Sequence, residues 1–145
     1  MPIVVTENEF LAHGELIHSE GKSISISLSE ERFKAFFKVS PKLASKIWYL
    51  LHKHTRMPLL TKPRHLLWAL FFMNDYGSER IQSRVLGCDP KTFRKYVWPM
   101  IGYIYTLRRT IVSCWSKCYM NSVDNLCQSL LNVFFCLHLD NVQID

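Results

Sequence analysis

At 145 residues, with 48% hydrophobic residues and a formal net charge of +6, the chain has the size of one domain and ample apolar material for a core. No run reaches the ~18 to 20 apolar residues of a membrane-spanning helix; the nearest, 126–139, is short and interrupted by Gln128, Asn132 and His138. Glu7, Glu9 and Glu15 stand where a secretory signal would be basic, and five cysteines, an odd number, point to reduced thiols inside a cell.

The charge is unevenly spread. Residues 1–31 hold one Lys and six carboxylates, a net of −5; residues 32–117 hold seventeen Lys and Arg against Asp75, Glu79 and Asp89, a net of +14. The tail from Cys118 carries three Asp and no cation. A basic middle in a chain of neutral mean hydropathy suits a soluble module that meets a polyanion, most simply nucleic acid.

Residues 1–28 read as a flexible acidic segment, with Gly14 and Gly21 and an alternating 23–28 run that makes at most one isolated strand. Ser27 or Ser29 caps a first helix whose opening turn holds Glu30 and Glu31 and which turns Phe33, Phe36 and Phe37 inward. Ser40 followed by Pro41 is a cap with proline at the first helical position. Leu43, Ile47, Leu50, Leu51 and His54 then recur at helical spacing, giving a helix over 41–53. After a connector over 55–62, a helix starts at Pro63 with a stripe of Leu66, Leu67, Leu70, Phe71 and Asn74 and is apolar most of the way round.

Gly77 ends that helix, and Ser78 caps a short one carrying Ile81, Val85 and Leu86 that stops at Gly87. Asp89 then caps a helix with Pro90 at its first position. Phe93, Val97, Met100, Ile101 and Ile104 share one face of it, and Lys91, Arg94, Lys95 and Trp98 the other. Helix, glycine turn and capped cationic helix form the layout of a helix-turn-helix, which lays its second helix in a DNA groove. Pro99 predicts a break or kink, leaving about two and a half turns of recognition helix. The period of the Cys-rich segment 113–139 favours no element strongly; helix is preferred.

The runs FKAFFKVSPKLASKIWYLL (33–51) and KPRHLLWALFFMNDYGSERIQSRVLGCDPKTFRKYVWPMIGYI (62–104) resemble the N-terminal helical region of Harbinger-type DDE transposases. In that family a Trp-containing helix, a YG turn and a short helix lead into a D-x-KTFRKW-like helix start. The resemblance covers about 33–112 and implies a DNA-binding helix-turn-helix joined to an RNase H-like nuclease that cleaves DNA with Mg²⁺ held by three carboxylates. The chain departs from the family beyond 112. Asp124 and Asp140 only weakly resemble the first catalytic Asp, and neither keeps the glycine that usually follows it. The tail 109–145 then reads as a remnant of the start of the nuclease, and the chain as a transposase-derived fragment without catalysis and without a cofactor.

Lys91, Thr92, Arg94 and Lys95 are the candidate contacts of the recognition helix to phosphate and base edges, Arg80 and Arg84 those of the preceding helix to the backbone. Lys62 and Arg64, with His65, His52, Lys53, His54 and Arg56, form a second basic cluster that reads as a phosphate clamp or as a solvated loop. Trp48 and Trp68 read as core; Trp98, on the cationic face, can also touch a base or sugar. Cys114, Cys118, Cys127, Cys136 and His138 lack the paired C-x2-C spacing of zinc modules, so no metal is expected.

The expectation is an all-α domain of about five helices over 29–108. Its partner is double-stranded DNA, with no membrane and no small-molecule substrate, and it acts in the nucleus of a eukaryote or otherwise inside the cell. The alternative is a helical interaction module that pairs with a second copy through Leu130, Leu131, Phe134 and Phe135.

Overall fold

Five of the six described helices start where a side chain takes up unpaired backbone N–H groups. In the computed structural model, which describes residues 4–19, 29–74 and 77–117, Ser29, Ser40 and Ser78 accept from the backbone N–H three residues on, at 3.3, 3.2 and 3.3 Å. Asp89 accepts from both Lys91 and Thr92, at 3.0 and 3.2 Å. The elements are α1 (Glu7–Ser19), α2 (Glu30–Phe37), α3 (Pro41–His54), α4 (Pro63–Asn74), α5 (Glu79–Val85) and α6 (Pro90–Lys117). The elements among the described residues are all helices, and none of these is long and apolar enough to cross a membrane.

The core is built around α4, in which residues 65–71 are all buried. It packs on α6, α1, α2 and α3, which explains why its apolar residues run right round the helix. α2 contributes Phe33 and Phe37, with Phe36 half-buried and stacked on Phe71 at 4.6 Å. α3 contributes Ala44, Ile47, Trp48 and Leu51. Its buried stripe is rotated from the expected one: Leu43 and Leu50 are half-buried and His54 is exposed.

Three further features depart from the sequence reading. The first is α1, in a segment read as flexible. Thr6 and Glu9 form a capping box, the Glu9 carboxylate accepting from the Thr6 N–H at 2.7 Å and the Thr6 hydroxyl accepting from the Glu9 N–H at 3.3 Å. Val5 before the cap and Phe10 one turn in are both buried, as the two halves of a hydrophobic staple should be. Phe10, Gly14 and Ile17 are buried as α1 packs on α3, α4 and α2, with Phe10 edge-on to Trp48 at 6.4 Å and Gly14 against Phe33 and Phe37. The alternating run 23–28 lies outside the described residues.

The second is α5, where Ile81 and Val85 are 61% and 46% exposed while Gln82, Ser83 and Leu86 are buried. A helix of seven residues held at both ends has little freedom to choose its face. The Ser78 cap fixes one end; the turn Leu86 to Asp89, with Gly87 at φ 70°, fixes the other.

The third is α6, which runs unbroken through Pro99 to Lys117, so it is not cut to about two and a half turns. An internal proline costs about 3 kcal/mol. Phe93, Val97, Met100, Ile101, Ile104 and Leu107 are all buried, and such side chains contribute about 1.5 to 3 kcal/mol each. Pro99 itself is exposed, so burial on both sides of it outweighs the lost hydrogen bond. The tail 118–145, with Asp124, Asp140 and the apolar run proposed for pairing, lies outside the described residues.

Candidate nucleic-acid interface

The outer face of α6 follows from its inner one. With 93, 97, 100, 101, 104 and 107 committed to the core, helical geometry leaves Lys91, Lys95 and Trp98 along the opposite side, with Arg94 at its edge. All four are exposed. Thr92, Arg80 and Arg84 are exposed as well, the two arginines one turn apart on α5.

The cations are not equivalent. Glu79, at the start of α5, reaches across to α6 and uses both carboxylate oxygens. Oε2 accepts from Arg94 Nε at 2.9 Å and lies 2.8 Å from Nη2; Oε1 accepts from Trp98 Nε1 at 2.8 Å. These donors, the indole first and the guanidinium second, hold the Glu79 carboxyl below its usual pKa. Trp98 remains 47% exposed and packs edge-on to Phe72 at 5.5 Å. Arg94 and Trp98 are therefore oriented before any partner arrives, at the cost of part of Arg94's charge. Lys95 lies against the Tyr96 ring, Nζ 5.3 Å from its centroid.

Within the second basic cluster, Lys62 and Arg64 have a defined setting. Both line a groove of about 710 Å³ at the base of α6, which also takes in His13, Trp68, Asp89 and Thr92. Arg64 lies over the Trp68 indole at 5.7 Å. His13 has its pKa lowered by burial first and by the Arg64 charge second, so it adds shape more than charge at neutral pH. His52 turns inward, 4.6 Å from the Trp48 ring, and burial lowers its pKa too. His65 is core: 2% exposed, stacked on Tyr96 at 3.9 Å and 11°, its Nδ1 accepting from the Lys62 N–H at 3.0 Å.

The sequence reading missed His13, because α1 was not expected, and Glu79, which carried the signal of a lone acid one helix before the cations. Among the described residues no three His, Cys, Asp or Glu side chains gather as metal ligands. Cys114, Cys118, Cys127, Cys136 and His138 fall outside the described side chains. Comparison with protein-family models, curated proteins and solved structures finds no match to this chain.

Proposed function

We propose that the chain binds duplex DNA through α6, in the manner of a transposase-derived helix-turn-helix, with a binding role and no catalytic or cofactor chemistry. The observation that carries the reading is the uncovered side of α6. Behind a four-residue turn and an Asp89 cap, Lys91 and Lys95 are exposed and Arg94 is fixed in direction, on a helix whose other side is buried. Arg80 and Arg84 on α5 supply backbone contacts, and Lys62, Arg64 and Thr92 at the base of α6 add phosphate contacts. In a eukaryote such a protein acts in the nucleus.

Duplex affinity over a salt series tests this. Each lost phosphate contact flattens the slope of log K against log salt by roughly one unit. Replacing Lys91, Arg94 and Lys95 together by Ala should flatten it by about 2 to 3 units, the smaller value if Glu79 keeps Arg94 from phosphate. An unchanged slope overturns the assignment.

A further inference from the structure

Two leucines stand at the tip of the connector between α3 and α4. The Thr61 N–H donates to the Pro58 carbonyl at 3.0 Å, closing a tight turn whose central positions are Leu59 and Leu60. Such positions ordinarily hold Gly, Asn, Asp or Ser, which suit the bend and the water around it. Here Leu59 is 103% and Leu60 72% exposed. Neither contributes to the core, so packing does not account for them.

The surroundings indicate what covers them. A groove of about 190 Å³ joins the turn to α6, walled by Leu60, Lys95, Tyr96, Pro99 and Tyr103. Lys95 and Pro99 border the uncovered side of α6 on the flank away from Arg94 and α5. The turn therefore stands beside the cationic face. Arg56 and Lys62 flank it in sequence and are exposed, and no Asp or Glu occurs from residue 32 to residue 74. An apolar tip framed by cations, with no acid in the segment, fits a partner whose outside is anionic and whose inside is apolar. Duplex DNA, with base pairs stacked between two rows of phosphate, has that structure.

We infer that the Leu59–Leu60 turn is an apolar wedge that inserts between base pairs while Arg56, Lys62 and Lys95 hold the adjoining phosphates. The inference rests on the DNA-binding reading and adds to it a deformation of the duplex. Apolar side chains inserted at a base step unstack it and kink the helix.

The experiment is ligase-mediated circularisation of ~120-bp fragments, shorter than the ~150-bp persistence length and so closed efficiently only when bent. Mobility shifts on the same fragments report binding separately. The full chain should bind and raise the yield of closed circles several-fold. Leu59→Ala with Leu60→Ala should bind within about threefold of the original while circularisation falls to the protein-free level. Leu59→Met with Leu60→Met should keep the effect. Both leucines are exposed, so the variants leave the core untouched, and a thermal melt equal to that of the parent chain verifies it. Binding without enhanced circularisation, or enhancement that survives the Ala variant, overturns the wedge and leaves DNA binding intact. Absence of binding by the parent chain overturns both. A shift from dimer to monomer in the Ala variant without DNA would make the turn a self-association surface and overturn the wedge.

Discussion

Glu79 and Arg94 are joined across the α5–α6 turn at 2.8 Å, so one cation of the candidate interface is already engaged by an acid. Arg94 is 66% exposed, where an ion pair contributes little to stability, about 0 to 1 kcal/mol. Its larger effect is on availability, since phosphate must compete with a carboxylate already in place. Glu79→Gln keeps an acceptor for Trp98 and removes that competition. The variant should bind duplex more tightly at low salt, with a slope of log K against log salt steeper by up to about one unit. Its unfolding midpoint in urea should move by less than the equivalent of about 1 kcal/mol. A slope equal to that of the parent chain would show that Arg94 makes no phosphate contact.

Acid should weaken the fold through His65. Burial first, then the Arg64 and Lys62 charges, push its pKa down from 6.5 to about 4. The unfolded chain therefore takes up the proton first, and stability falls as the pH drops from about 6.5 towards 4. The loss from this group is at most about 3 kcal/mol, at 1.36 kcal/mol per unit. His13 and His52 are lowered too, so they add to the loss on acidification. His65→Phe keeps a ring against Tyr96 and has nothing to protonate. Urea unfolding at several pH values should show a shallower decline in the variant, together with a pH-independent cost of about 1 kcal/mol for the acceptor lost to the Lys62 N–H. Equal declines in the two proteins would refute the role given to His65.

The parts legible in the sequence were those set by local chemistry. Ser40 before Pro41 and Asp89 before Pro90 fixed two helix starts, and the 93, 97, 100, 101, 104 spacing fixed the buried side of α6. What escaped depended on contacts between elements. Pro99 looks like a break until α6 is seen held by burial on both sides of it. The exposure of Ile81 and Val85 reflects how α5 is clamped at its ends. Lys62 and Arg64 belong with Thr92 because a groove joins them, a relation with no sequence spacing. The capping box of Thr6 and Glu9 has a recognisable spacing that the reading of 1–28 as flexible, made from Gly14, Gly21 and the 23–28 run, leaves out.

Gly14 and Gly102 both lie inside helices, and their replacement by Ala should have opposite effects. In a helix interior Gly is less favourable than Ala by about 0.8 to 1.0 kcal/mol. At Gly102 an added Cβ meets nothing within 4 Å, so Gly102→Ala should raise stability by roughly that amount. At Gly14 the same Cβ would lie 2.7 Å from two atoms of the Phe33 ring and 3.2 Å from Phe37. Phe33 and Phe37 are themselves fully buried, tilted against each other at 4.7 Å, and have no open space to move into. Overpacking of this kind costs about 1 to 3 kcal/mol, more than the helix propensity returns. Gly14→Ala should therefore lower the thermal midpoint while Gly102→Ala raises it. If Gly14→Ala stabilised the protein as Gly102→Ala does, α1 would not be seated on α2 as described, and the N-terminal segment would be the loose one its glycines suggest.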